Sequence, residues 1–531
     1  MGRRTSTLLA GLVVASLALA GCAESDSEEK KDGGAATPGF ANGFVVEPDD
    51  SGDPTPGGQL EVVTYSEARV LDPVQTIANG SSGGTEMAAV FDLLVRYDQE
   101  SESYVPQLAE ALEANETQDE WTLTLRDGVT FSDGTPLDAD AVVWSLDRYV
   151  EKGGGQVSFL THAVRRWTAT DARTVVFELT RPWSDFGYLL STGPGMVVAK
   201  GSDKGGAFTP IGAGPYELER YTPQEDLVLR ARDDYWGGRP ALDTLRFFPI
   251  SAESGRLDVL RNGEADMGYL REAPTAQEAL EDGFGGFMEI GSISRGLLLN
   301  HREGSATADV RIRQALVHAL DVDVINQRTA EGKGLVSTGI LNDLSQWDLE
   351  AEPLAYDVEA ATELVEAAKA DGFDGTISFK GVAKVSEAMG VTLQGLLSEI
   401  GLEVSLDYVP SVTDLVNDIY VTQDFDMVIW SFGMPDRAVY PELYEKVHSS
   451  ARGNSGGSAD PELDRLIEEL GAATTPEEQQ GVLEQIQLQW NETVPYVPLG
   501  ATPEWNAWGE DVHGVVPSID SIMLLDGAWK D

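Results

Sequence analysis

A single cysteine, Cys22, is the feature that most limits how this chain of 531 residues can fold. One thiol allows no intrachain disulfide and no thiolate metal site, so a folded body must be held by an apolar core. The chain beyond Cys22 is long enough to bury such a core in two or more domains. The formal charge is −52, from 89 acidic against 37 basic residues, yet 42% of the residues are hydrophobic. That is too many for a disordered acidic chain. Nucleic acid is not an expected partner, because phosphate binding needs a basic face. The acidity suits either a solvated surface or the steering of a cationic ligand, and net charge does not separate the two.

Cys22 also closes a particular kind of beginning. Arg3 and Arg4 precede a run of apolar and small residues from Leu8 to Ala20. The run is too short for a permanent membrane span, so residues 1–21 read as a secretory signal. Leu19-Ala20-Gly21-Cys22 resembles the lipobox of bacterial lipoproteins. That resemblance implies cleavage before Cys22 and diacylglycerol on its sulfur. Two acyl chains anchor stably where one is marginal, so the expected place is the extracytoplasmic face of the cell membrane. Residues 22–58, charged and studded with Gly and Pro, read as the lipidated cysteine and a flexible linker.

The body begins near Gln59. Leu60, Val62 and Thr64 alternate as a strand, as do Trp121, Leu123 and Leu125. Asp127-Gly128 and Asp133-Gly134 are turn signals around a further short strand at Val129 and Phe131. Asp138 to Tyr149 reads as a helix with Val142, Val143, Leu146 and Tyr149 on one face, and Thr174 to Leu179 as a strand. Farther on, Asp357 caps a helix striped by Ala361, Leu364, Val365 and Ala368. A strand at Thr376–Phe379, a helix at Val391–Ile400 and strands at Leu402–Tyr408 and Phe425–Trp430 follow. Asp460-Pro461-Glu462 and Thr475-Pro476-Glu477 are helix starts: cap, proline, early acid. Alternating helices and strands argue an α/β body.

Ordered strings cover nearly all of this body. They are LDP at 71–73, the stretch from Tyr104 to Tyr149 containing TFSDGTPLDADAVVWSLDRY, PIGAGPYELERY at 210–221, and RDDYWGGRPALDTLRF with NGEADM at 232–267. LLLNHREGSATADVRIRQALVHALD at 297–321, YDVEAATELV and QDFDMVIW complete them. Together they resemble the family 5 solute-binding proteins of ABC importers, which bind peptides, nickel complexes and opines. The resemblance implies a bilobed periplasmic-binding-protein clamp of type II with an extra inserted subdomain. Lobe I would take 59–89, 208–293 and 495–531, the subdomain 90–207 and lobe II 294–494. Crossing segments near Ser292–Asn300 and Val494–Asn506 would form the hinge. The expected function is capture of an oligopeptide or similar small solute and its delivery to a membrane permease, by a monomer without a cofactor. An oligosaccharide or opine ligand, or solute sensing, are the alternatives.

The same resemblance puts Tyr65, Ser66 and Glu67 on one side of the cleft, and Trp430, Phe432, Asp436, Arg437 and Tyr440 on the other. Peptide binders of the family carry an amine-pairing aspartate three residues after the tryptophan. Here that position is Gly433, with Asp436 three further on. Gly212 and Gly214 are a lone pair without a Walker lysine, so they do not read as a phosphate cradle. Tyr235 and Trp236 read as packing aromatics. His162, His301, His318, His448 and His513 are scattered without an i, i+4 pair, so no metal site is expected. No nucleophile elbow or zinc helix is present, and a surface hydrolase is not expected.

Overall fold

Two long strands, Gly285–Leu299 and Tyr496–Trp508, run antiparallel through the middle of an 11-stranded mixed sheet. The computed structural model describes residues 39–49, 52–68, 70–204 and 206–531. Cys22, the signal stretch and the first part of the linker lie outside them. The register of the central pair breaks between Gly291 and Gly296. Ile293 there has φ +50°, and Ser292 leaves the pair to bridge Met434. On one side of the break, Tyr496–Trp508 continues to the strands Met267–Leu270, Gln59–Thr64, Thr244–Pro249, Asp226–Ala231 and Tyr216–Thr222, in that order. On the other side, Gly285–Leu299 continues to Met427–Trp430, Thr376–Val382 and Glu403–Val409. The central pair thus links two groups of strands in one sheet.

The strand chemistry follows the neighbours. Gln59–Thr64 has parallel partners on both edges, and Leu60 and Val63, on opposite faces, are both fully buried. A strand covered on both faces reads as an apolar run rather than a clean alternation. Helix starts fall where the caps place them. Asp357 accepts from the backbone N–H of Glu359 and Ala360, Asp460 from that of Leu463, and Thr475 forms a capping box with Glu478. A separate antiparallel sheet holds Ala109–Ala114, Glu120–Leu125, Thr174–Leu179 and Val164–Ala169. The helix Ala139–Lys152 packs on it, capped by Asp138 and stopped by Gly153 in the left-handed region.

Several expectations shift. Val129 and Phe131 are buried, but they flank a single bridge between Thr130 and Pro136 rather than a strand. The helix expected at Val391 begins at Glu387 and ends at Ser398. On Ala139–Lys152, Val143 is only half-buried, while Arg148 is 4% exposed. Arg148 donates twice to Asp72 at 2.8 and 2.9 Å and also holds Asp203, so an arginine sits on the apolar face because two carboxylates meet it there. Gly43–Val46, inside the compositional linker, is a strand on Gly286–Met288. Phe44 stacks edge-on against Phe287 at 5.3 Å and Phe40 is buried. Composition averaged over the linker hides these aromatics.

Gly212 and Gly214 have a packing role. A Cβ on either would stand 2.1 to 2.5 Å from a carbonyl oxygen of Val90 or Ala89, so only glycine lets this turn lie against the buried helix Gly84–Phe91.

Candidate functional site

The break in the central strand pair opens onto a cavity of about 600 Å³. One wall comes from the central pair and the C-terminal segment. Glu289 and Glu504 occupy directly opposed positions on the two strands, and Asp520 stands beside them. The facing wall comes from Phe432, Gly433 and the helix Val439–Val447, which contributes Glu442, Glu445 and Lys446. Tyr149, Tyr188 and Tyr420 add aromatic surface, and Arg271 and Arg452 add positive charge.

The electrostatics of this cavity are unusual. Burial, then the neighbouring Glu504 charge, pushes Glu289 up to about 8, against hydrogen bonds from the Ser521 N–H (2.9 Å) and hydroxyl (3.2 Å). Burial raises Glu442 to about 7. Asp520 lies well above the carboxylate range, through burial and then the charges of Glu289, Glu442 and Glu504, although the Tyr188 hydroxyl donates to it at 3.3 Å. Glu445 is raised mainly by burial, against a hydrogen bond from the Phe159 N–H at 2.7 Å.

The residues expected from sequence are distributed as follows. Phe432 lines the cavity, buried, with its ring against Tyr496 and Trp490. Trp430 is half-buried with its ring edge-on to Tyr420 at 6.2 Å, and its carbonyl accepts from the Tyr496 hydroxyl. Tyr65 is 40% exposed beneath the guanidinium groups of Arg256 and Arg271 at 5.3 and 5.9 Å. Ser66 donates to the Ser81 carbonyl. Glu67 accepts from the Tyr221 hydroxyl and the Gln224 N–H, on the side of the sheet away from the cavity lining.

Asp436, Arg437 and Tyr440 line a second cavity, of about 500 Å³, together with Tyr97, Trp183 and Trp347. Asp436 accepts from the Ser345 hydroxyl at 2.6 Å and the Gln346 N–H at 2.7 Å. Arg437 pairs with Glu102 at 3.1 Å. Gly433, where the aspartate of peptide binders is absent, has φ +60°. Tyr235 and Trp236 both donate to the buried Asp92, at 2.8 and 3.0 Å.

Two histidines distant in sequence come together where the four-stranded sheet region meets the second lobe. His162 and His448 are 6.1 Å apart, and His162 stacks on Tyr444 at 4.0 Å. Among the described residues no group of three or more His, Cys, Asp or Glu is arranged to hold a metal ion. Sequence reasoning did not single out Glu289, Glu504, Asp520, Glu442 or Arg271. One signal was available: Glu289 is the only acid in the strand GGFMEIGSISRGLLL, where Arg295 is the one other charged residue.

The model of the bacterial extracellular solute-binding proteins, family 5 (middle region), matches residues 103–454. A dipeptide-binding protein of Escherichia coli (strain K12) is 28% identical over 324 residues, which is 55% of this chain and 60% of that protein's length. A probable D,D-dipeptide-binding periplasmic protein of the same organism is 23% identical over 90% of this chain and 95% of its own length. Among solved structures, the oligopeptide-binding protein of Bacillus subtilis in complex with a nonapeptide superposes with TM-score 0.74 at 22% identity, covering 90% of this chain and 100% of that one. These likenesses show the bilobed fold.

Proposed function

The chain belongs to family 5 of the bacterial extracellular solute-binding proteins, the solute receptors of ABC importers, and from that premise we propose that it is an exported lipoprotein, held to the membrane through Cys22. It captures an oligopeptide or a similar small solute between its lobes and hands it to a membrane permease. The observation that carries this reading is the cavity of about 600 Å³ at the break in the strands common to both lobes. Its size is that of a small-molecule site, roughly 300–1,000 Å³. Its walls come from both sides of the break, so a solute there touches both lobes only when they close. Such a solute favours the closed form by its difference in affinity for the two states.

We assign lobe I to 59–89, 208–293 and 495–531, the subdomain to 90–207 and lobe II to 294–494. The separate four-stranded sheet falls inside the second of these, and the strands beyond the register break fall inside the third. Phe432, Tyr65 and Trp430 are the expected site residues that we place at or beside the solute. Asp436, Arg437 and Tyr440 would meet a solute only through the second cavity.

An opine-like or sugar-like solute is a second reading. Gly433 supports it, because the carboxylate that would pair with a peptide amine has no side chain at that position, and a similar fold has been solved with agropinic acid. Native mass spectrometry of the protein from Gln59 onward, followed by thermal shift with di- to pentapeptides, oligosaccharides and opines, tests the choice. Bound solute raises the midpoint by mass action. Shifts from sugars or opines with none from peptides would overturn the peptide reading. Cys22→Ala tests the anchor: the protein should leave the membrane fraction, and its retention there would refute lipidation.

A further inference from the structure

Eight charged side chains line the central cavity: Arg271, Glu289, Glu442, Glu445, Lys446, Arg452, Glu504 and Asp520. Among the described residues none of them forms an ion pair within 4 Å. Elsewhere in the chain some buried charges are closely paired, while the buried Glu86 and Asp92 form no ion pair among the described residues. Arg148 holds two carboxylates and Lys380 holds three. Seven of the eight cavity charges are half-buried and Arg452 is exposed, and a partly desolvated charge without a partner keeps part of its desolvation cost. A wall of unpaired charge is therefore an arrangement that needs a reason.

The placement sharpens the question. Glu289 and Glu504 are direct cross-strand partners on the antiparallel central pair. Side chains so placed have Cβ atoms about 4.5–5.5 Å apart, and like charges there repel. Asp520 adds a third carboxylate from a residue with φ +55°, an uncommon backbone for a non-glycine. Glu442 adds a fourth from the other lobe, close enough that its charge acts on Asp520. Arg271 offsets part of this near Glu504, and Lys446 offsets part near Glu442. Tyr269 stands at the same wall. It is 2% exposed, its hydroxyl faces Glu504, and the charges that act on it most are those of Glu504 and Arg271.

Resting on the solute-receptor reading above, we propose that the solute carries a cationic group, ammonium or guanidinium, which seats between Glu289 and Glu504 with Asp520 and Glu442 around it. Among the described residues no group of acids is arranged to hold a metal ion, and the proposed cation is an organic one. The ammonium of an amine has three donors and a guanidinium five, enough to bond several separated carboxylates at once. Burial and neighbouring charges push Glu289 up to about 8 and Glu442 up to about 7, and raise Asp520 well above its ordinary value. A bound cation returns them to the charged form, so binding releases protons. Facing these three acids are Glu504 and Glu445, with Arg271, Lys446 and Arg452 of opposite sign.

The test uses length-matched tripeptides on the whole folded protein: Ala-Lys-Ala, Ala-Ala-Ala, acetyl-Ala-Ala-Ala and Ala-Glu-Ala, with free arginine and spermidine alongside. Titration calorimetry in buffers of different ionisation enthalpy reads affinity and proton release together. The expected order puts Ala-Lys-Ala above Ala-Ala-Ala and both above the acetylated and acidic peptides, with protons released near pH 7. Glu289→Gln and Glu504→Gln should each weaken the basic peptide by roughly 10- to 100-fold, the value of a hydrogen bond to a charged group. Equal affinity across the charge series, with no proton release, overturns the cation and leaves the peptide reading standing. If no tripeptide binds, the peptide reading fails, and arginine and spermidine then decide the charge: binding of either supports it, and silence from both overturns it. Proton release by the unmodified protein keeps the test decisive should the glutamine variants not fold.

Discussion

Closure of the clamp can be weakened at one residue without touching the cavity wall. Phe159, on the helix Val157–Ala163, is 1% exposed. Its ring lies 5.3 Å from Tyr440 and 5.6 Å from Tyr444, both on the helix Val439–Val447, inside the lobe II proposed above. It also lies 5.2 Å from Trp183, within its own part of the chain. Phe159→Ala in a static core would cost about 3–5 kcal/mol, but only the contacts across the lobes bear on closure. Two aromatic pairs at about 0.5–1.5 kcal/mol each give about 1–3 kcal/mol. If those contacts form on closing, the apparent dissociation constant of any solute rises roughly 5- to 150-fold, because the competent state is less populated. Calorimetry with the co-purifying solute reads the affinity, and small-angle scattering reads the radius of gyration with and without it. Phe177→Leu, a fully buried change inside the four-stranded sheet, is the control: it should lower stability and leave affinity alone. Affinity within twofold of the parent and unchanged scattering for Phe159→Ala would refute the idea that this contact belongs to closure.

Three further outcomes follow from named contacts. Arg148→Leu strands the Asp72 carboxylate, 1% exposed, with only the Val74 N–H and Gln75 amide as donors, and should cost about 3–5 kcal/mol in urea unfolding. Asp72→Asn in the same chain should recover part of that, and strict additivity would contradict the pairing. His162 is held down to about 4 by burial and then by Arg181, against Glu445, with His448, Tyr444 and Glu468 also facing it. Its folded value lies below the unfolded one, so its stabilisation is present above about pH 6.5 and lost as pH falls towards 4. The loss is roughly 3 kcal/mol at about 1.4 kcal/mol per unit. His162→Gln should remove that slope from the difference in urea midpoint between pH 7.5 and pH 4, whereas buried carboxylates with raised values, such as Glu86 and Asp92, slope the other way in both proteins. Asp436→Ala should cost about 1–2 kcal/mol of stability through the lost Ser345 and Gln346 bonds and leave solute affinity within twofold; a tenfold loss of affinity would put Asp436 on the solute.

The parts of the fold that were legible in sequence are those written in local chemistry. Asp357, Asp460 and Thr475 announce helix starts because a cap side chain bonds the backbone two or three residues on, a relation contained within the sequence window. Alternation at Trp121–Leu125 shows a strand for the same reason. The inward arginine at 148 was not legible, because its partners, Asp72 and Asp203, are 76 and 55 residues away. Nor was the docking of Phe40 and Phe44, which depends on a strand some 240 residues later. The cavity belongs to this second class. Glu289 and Glu504 are opposed only through a register that no local pattern states, and among 89 acids neither stands out by composition. What did point to Glu289 was the mismatch between one acid and its mainly apolar and small strand, the kind of local inconsistency that collects at functional sites.

That mismatch also bears on how a solute could close the clamp. Glu289 and Glu504 stand on the central strands and Asp520 on the C-terminal segment, whereas Glu442 stands on the helix Val439–Val447, inside the lobe II proposed above. The charge of Glu442 acts on Asp520, and that of Glu504 acts on Glu442, so closing the empty lobes brings like charges together across the cleft. A cation between them reverses the sign of that contribution. The solute then favours closure twice over, by its contacts to both walls and by removing a repulsion that opposes closing without it. A ligand shifts such an equilibrium only by its differential affinity, and on the cationic reading the differential is set by four carboxylates, two of them on the central strands. A neutral solute of the same shape would keep its contacts and leave the repulsion in place. On this reasoning charge governs the closed population as well as the affinity, and Glu442→Gln should let the empty protein close more often while weakening the hold on a cationic solute.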